Sequence, residues 1–216
     1  MALPARFTPR NLTGRFILNP TLSDVAACEK MLEEQSIADP ALRRAVVAGV
    51  LSLNHYEDEI DGVERMWVQQ DSGGKDCDVA VDFRVFDWQD RTHEDALFGP
   101  VVGRMRRITT DTLPDLRALP PLLRGGWTQE TRRCGVLQYQ YQFHRGCSSD
   151  VATERSWVET WGIESSPDGE RRFARHVSVA GTGVEVGSSS WRLVYDYLCV
   201  EWGEWFALYE LYNIRS

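Results

Sequence analysis

A chain of 216 residues in which 43% are hydrophobic and 26% charged has the make-up of an ordinary globular protein and the length of one sizeable domain. Its 24 Lys and Arg stand against 32 Asp and Glu, and the net charge of -8 argues against a nucleic-acid partner, which would need a basic stripe. No linker or low-complexity run divides residues 1–216, so a single domain is expected. The opening, "MALPARFTPRNLTGRF", has no apolar run of signal-peptide length, and no later segment is apolar enough to span a bilayer. A cytoplasmic protein without a membrane partner is expected, with the Asn11-Leu12-Thr13 sequon unused.

"LTGRFILN" (12–19) reads as a short strand. The Pro20-Thr21 turn leads to a helix that starts near Ser23 or Asp24 and sets Val25, Cys28 and Leu32 on one side. Asp39-Pro40, an N-cap before a first-turn proline, opens a second helix with Leu42, Ala45, Val46 and Gly49 on one stripe. After that the helical period largely disappears. In "CDVAVDFRVFD" the apolar Cys77, Val79, Val81, Phe83 and Val85 alternate with Asp78, Asp82 and Arg84. In "VLQYQYQFH" Leu137, Tyr139, Tyr141 and Phe143 alternate with Gln138, Gln140, Gln142 and His144. Both are patterns of half-buried antiparallel strands, and the "RMRR" at 104–107 reads as a solvated strand face. Strands at roughly ten-residue spacing, with turns such as "SGGKD", "SSPDGE" and "GTGVEVG" between them, point to a sandwich or a barrel.

The stretch "SWVETWGI" (156–163) sets Trp157, Glu159, Trp161 and Ile163 on one face of a strand. A Pro-Asp-Gly turn follows, then a strand with Phe173, Arg175, Val177 and Val179. If paired residue numbers sum to 334, Trp161 faces Phe173 and Glu159 faces Arg175. The pair is either a cross-strand ion pair on the outer surface or a carboxylate held among aromatics inside, and the inward facing is the one carried forward.

One strand, two adjacent helices and a run of antiparallel strands resembles the fatty-acid-binding-protein branch of the calycins. The resemblance is carried by "GRFILN…LSD…LRRAVVAGVLSLNHYED" at the start and "ERRFARHVSV…SSSWRLVYDYL" at the end. It implies a mainly β fold: a single antiparallel calycin-type barrel over about residues 12–198, two short lid helices near the N-terminus, and an aromatic extension at 199–216. "RTHEDALFGPVVGR" (91–104) and "WGIESSPDGERRFARHVSV" also resemble small fungal proteins of calycin type, some encoded beside secondary-metabolite genes. Fatty-acid binders hold a carboxylate with Arg-x-Tyr in the last strand. Here Arg192-Leu193-Val194-Tyr195 puts the two side chains on opposite faces, a departure from simple fatty-acid binding. The insertion "TTDTLPDLRALPPLLRGGW" (109–127) departs as well. In the tail, Trp205, Leu208, Tyr209 and Tyr212 have helical spacing, for packing on the barrel, covering its mouth or meeting a second subunit in a homodimer.

Strong catalytic signatures (G-x-S-x-G, H-E-x-x-H, a P-loop, kinase motifs) are absent. His93-Glu94-Asp95 reads as a polar turn more readily than as an acid–base cluster, and His55 and His176 as hydrogen-bonded structural histidines. His144 and Cys147 lack further ligands at metal spacing, and the five cysteines contain no C-x-x-C, so neither metal nor cofactor is expected. The aromatic supply remains, as core filling or as the wall of a ligand cavity. With the barrel that the resemblance implies, Trp67, Phe83, Phe143, Trp157, Trp161, Phe173 and Leu193 are candidates for an apolar substrate wall. Tyr139, Tyr141, Glu159, Arg175 and Tyr195 are the candidate catalytic groups. The expected function is a cofactor-free cyclase of secondary metabolism, including an intramolecular Diels–Alder type, that folds an apolar substrate into a near-attack geometry. The alternatives are a non-catalytic carrier of hydrophobic small molecules and a partner-binding protein.

Overall fold

The computed structural model describes residues 1–34, 49–57, 61–71, 80–95, 98–109, 113–145, 153–181 and 184–199, together with Pro40, Arg43 and Val47. Strand β1 (Gly14–Leu18) leads through helix α1 (Val25–Glu34) to β2 (Val50–Glu57), β3 (Glu64–Asp71), β4 (Ala80–Val85), β5 (Arg91–Asp95) and β6 (Gly99–Ile108). Helices α2 (Leu113–Ala118), α3 (Pro121–Arg124) and α4 (Gln129–Cys134) precede β7 (Val136–Arg145), β8 (Thr153–Ser165), β9 (Arg171–Gly181) and β10 (Val184–Cys199). Among the described residues the ten strands form one antiparallel sheet in the order β4–β3–β2–β1–β10–β9–β8–β7–β6–β5. The chain is thus mainly β, an antiparallel barrel in which, among the described residues, β4 and β5 at the two ends of the strand order share no backbone ladder and leave a seam. The helix expected from Asp39-Pro40 and the tail stripe at Trp205, Leu208, Tyr209 and Tyr212 lie largely or wholly outside the described residues.

Period-two alternation decides what each strand buries. In β1, Phe16 and Leu18 point in while Ile17 is exposed. In β7, Leu137, Tyr139 and Tyr141 are buried on the inner face. One end of the barrel is packed with aromatic rings. Phe7 from the N-terminal segment sits 4.8 Å from the Tyr197 ring, Phe16 packs 5.1 Å from Phe173, and Trp161 closes edge-on to Phe173 at 5.9 Å. A buried ion cluster seals the wall nearby: Glu64 accepts from Arg107 and lies 2.5 Å from His55 Nε2. Burial works to raise the Glu64 carboxyl, but Arg107 and His55 override it and hold it at about 2. Of the "RMRR" run, then, Arg107 is an internal partner, while Arg104 and Arg106 lie over the Trp88 ring at 4.4 and 4.1 Å.

At the other end α1 lies across the barrel with Cys28, Met31 and Leu32 buried beneath it. It is tied to β10: Ser23 Oγ donates to the Val194 carbonyl at 3.2 Å, and the Val194 N–H donates back to Ser23 Oγ at 2.8 Å.

The inserted segment covers the outside of β8 and β9, which is why these strands carry buried residues on both faces. Thr160 Oγ1 donates to the Leu123 carbonyl at 2.7 Å, and Trp127 stacks on His176 at 4.1 Å. Thr128 caps α4 by accepting from the Thr131 N–H. Gly162 lies where a Cβ would come within 2.6 Å of Thr131 Cγ2, so only glycine lets the helix approach this closely. His176 and Glu164 are buried here with Arg192, and Glu164 is held below its ordinary range: burial opposes, while His176 and Arg192 prevail.

Candidate functional site

Between α1 and the packed aromatic layer lies a cavity of about 120 Å³. That is roughly ten times the ~10–15 Å³ that one water needs. Leu18, Cys28, Met31 and Leu32 form its roof side, and Val177, Trp191 and Leu193 much of one wall. Trp157 packs between Tyr141 (5.4 Å) and Trp191 (5.6 Å, edge-on). Burial pushes the Cys28 thiol up to about 12, with Arg175 opposing and Glu159 adding to the rise, so this cysteine is an apolar wall element and not a thiolate nucleophile.

The polar side of the cavity is built on β7, β8, β9 and β10. Glu159, only 1% exposed, receives Arg175 Nη2 at 3.0 and 2.9 Å on its two oxygens and Arg175 Nε at 3.2 Å. Trp161 Nε1 donates to the same carboxylate at 2.7 Å, and the Tyr141 hydroxyl approaches at 3.4 Å. Burial works to discharge Arg175, yet Glu159 overrides it and holds the guanidinium above its ordinary range. Burial raises the Tyr141 and Tyr195 phenols, Glu159 adds to both, and Arg175 pulls the other way. Both stay protonated at neutral pH and serve as hydroxyl donors, not as bases. Arg175 Nη1 lies 3.4 Å from the Tyr195 hydroxyl, so an arginine–tyrosine pair does face the cavity, assembled from β9 and β10 in place of one strand.

A second cationic group comes from β4. Arg84 Nε donates to Asp82 at 2.5 Å, and the guanidinium lies 3.8 Å from the Tyr139 ring and 4.8 Å from Trp161. Among the described residues its Nη1 is buried without a hydrogen-bond partner. Burial opposes the Arg84 charge, and Asp82 more than compensates. Tyr139 in turn meets His93 Nε2 at 3.3 Å, and burial raises its phenol well above the ordinary range. Gly103 makes room for it, since a Cβ there would fall 2.5 Å from the Tyr139 oxygen.

The structure brings Tyr139, Tyr141, Trp157, Glu159, Arg175, Leu193 and Tyr195 to one cavity. Trp161 and Phe173 point inward but are fully buried one layer below it. Trp67 and Phe83 are not cavity residues. They pair across β3 and β4 on the outer face, rings 4.5 Å apart, and Phe83 is 38% exposed. Met66 and Val68 take the inward positions of β3, which obliges Trp67 to face out. Phe143 belongs to a part of β7 whose side chains lie outside the described residues. The β8–β9 register sums to 336, so Trp161 faces Arg175 and Ile163 faces Phe173. The shift of two keeps every side chain on its expected face, and Arg175 reaches Glu159 diagonally.

Sequence reasoning missed Arg84, His93 and Asp95, all of which line the cavity. His93-Glu94-Asp95 is strand β5 and not a turn. The signal available was the two-residue spacing of His93 and Asp95, which puts both on one face of a strand. His55 and His176 are structural: His55 meets Glu64, and His176 lies 2.8 Å from the Leu122 carbonyl. Among the described residues no group of three His, Cys, Asp or Glu is placed to hold a metal ion, and no helix is long and apolar enough to cross a membrane.

The structure is similar to the crystal structure of the wild-type fluorescent protein UnaG, with a TM-score of 0.46 and 12% sequence identity over 87% of this chain and 97% of that one. No protein-family model and no curated protein matches the sequence.

Proposed function

We propose that this chain is a container for one apolar small molecule, bound between α1 and the Glu159–Arg175 pair. The observation that carries the reading is a cavity with aliphatic and indole walls and convergent polar groups, the usual make-up of a small-molecule site. A neutral apolar fluorophore, 1-aminoanthracene, tests it. Saturable one-to-one binding is expected, weakened by Trp157→Ala, which removes wall area. Binding that does not saturate, or that ignores the Trp157 change, refutes it.

The finer reading is a cofactor-free cyclase, including an intramolecular Diels–Alder type, with carriage of a hydrophobic molecule as the alternative. Arg84, Tyr139 and Tyr195 favour catalysis, because cationic and phenolic donors fixed in a poorly solvated cavity can stabilise charge developing on a substrate carbonyl. Restraint of a flexible chain adds to this and needs no nucleophile. The resemblance of residues 91–104 and 161–179 to small fungal proteins, some of them encoded beside secondary-metabolite genes, is in keeping with the same reading. The test is cyclisation of a linear polyene bearing an electron-poor alkene, followed by chiral chromatography. Acceleration over buffer with one stereoisomer, unaffected by chelator or dialysis, is expected. An unchanged rate and isomer ratio would leave the carrier, and loss of turnover on chelation would redirect attention to the histidines.

A further inference from the structure

The cavity is polar in a lopsided way. Arg175 has its guanidinium spent on Glu159, with three contacts between 2.9 and 3.2 Å and Tyr195 at the remaining nitrogen. The position at which this arginine and tyrosine would grip a ligand carboxylate is therefore filled by a carboxylate of the chain itself. Arg84 is different: Asp82 takes its Nε, while the buried Nη1 has no partner among the described residues. Trp191 Nε1, on the wall formed by β10, is a second buried N–H donor without one among the described residues. Buried donors of this kind are costly unless something accepts from them.

The charges decide what that acceptor is. Among the described residues in and beside the cavity, Arg84 and Arg175 stand against Asp82, Asp95 and Glu159. Even with His93 protonated the two signs only balance, so a ligand carboxylate would enter as an excess anion in a poorly hydrated place. A carbonyl oxygen accepts from Arg84 Nη1 without adding charge.

We infer that the cavity selects a neutral apolar molecule carrying a carbonyl-type acceptor (ketone, ester or amide) over a carboxylate of the same size, with Arg84 Nη1 as the specificity-determining donor and Glu159 as a built-in occupant of the anion position. The inference rests on the container reading above. It also makes Glu159 a switch of ligand class: with a neutral amide in its place, Arg175 and Tyr195 become free to hold a ligand carboxylate.

Calorimetric titration at pH 7.5 with 2-undecanone and decanoate, a ketone and a carboxylate matched in size, tests this. In the parent protein the ketone should bind at least about tenfold more tightly, the scale of one hydrogen bond to a charged donor. Glu159→Gln should reverse the preference by raising decanoate affinity at least about tenfold, and Arg84→Met should lower ketone affinity by a similar factor. Circular dichroism confirms that each variant is folded. If Glu159→Gln does not fold, the parent comparison and Arg84→Met decide. Decanoate bound by the parent as tightly as the ketone overturns the inference and leaves the container standing. A folded Glu159→Gln protein with no gain for decanoate overturns it too. If the parent binds neither molecule, the container reading fails and this inference with it.

Discussion

Removing the Arg175 guanidinium is the most discriminating perturbation of stability. Arg175→Ala deletes three charged hydrogen bonds of 2.9–3.2 Å from a carboxylate whose residue is 1% exposed. Breaking a buried pair from one side costs roughly 3–5 kcal/mol, against about 1 kcal/mol or less for an exposed pair. Trp161 Nε1 still donates to Glu159, and the adjoining cavity admits water, so the low end applies: about 3 kcal/mol. For a chain of this length each kcal/mol shifts the melting midpoint by roughly 2–4 °C, so a drop of about 6–12 °C is expected by circular dichroism. The double variant Glu159→Leu/Arg175→Met leaves no stranded charge and should melt closer to the parent than Arg175→Ala does. A single variant within about 1 °C of the parent, or a double variant lower than the single one, would refute a buried, mutually dependent pair.

Acid titration probes the Glu64 cluster. A carboxyl held at about 2 in the folded chain contributes stability that is fully present above its ordinary value near 4.5 and is lost as the pH falls towards 2. That shift corresponds to about 3 kcal/mol, so Glu64→Gln should melt lower at pH 7 and lose less than the parent between pH 4.5 and 2, as denaturant titrations across that window will show. Trp157→Ala and Trp161→Ala should separate binding from stability. The first weakens 1-aminoanthracene more than it lowers the melting point, whereas the second, one layer below the cavity and fully buried, should cost about 3–5 kcal/mol. Gly162→Ala forces a methyl to within 2.6 Å of Thr131 and should cost about 1–3 kcal/mol by lifting α4, without altering ligand affinity.

How far the sequence could be read follows from which surfaces cover each strand. In β7 the inner face is apolar and the alternation reads directly, with Leu137, Tyr139 and Tyr141 inside. The same rule fails in β4, where Asp82 and Arg84 turn toward the interior and Phe83 turns out. Two aromatic rings inside the barrel receive the Arg84 guanidinium, and Trp67 covers Phe83 outside, so both faces are satisfied against the usual order. Facing in β8 was legible from Trp157, Glu159 and Trp161, but its register was not. The β8–β9 turn is centred on Asp168, with Gly169 at φ 81°, one residue later than a turn centred on Pro167 would be. Burial of Thr160, Gly162 and Glu164 on the second face could not be read from β8 at all, because it is created by Leu123 and Trp127 of the inserted segment and by Thr131 of α4.

Among the described residues, the seam between β4 and β5 is the line of the wall that lacks a backbone ladder. Every other neighbouring pair of strands is fastened by a backbone ladder, and widening the wall there would break several hydrogen bonds at once. Across the seam the described contacts are side-chain ones, such as His93 Nε2 to Asp82 at 3.7 Å, around a cleft of about 20 Å³. Dilation is therefore cheapest along this one line, and it moves Arg84 and His93 apart while the Glu159–Arg175 pair, on strands laddered to both neighbours, stays put. The two halves of the cavity's polar lining therefore differ in how their strands are fastened as well as in charge.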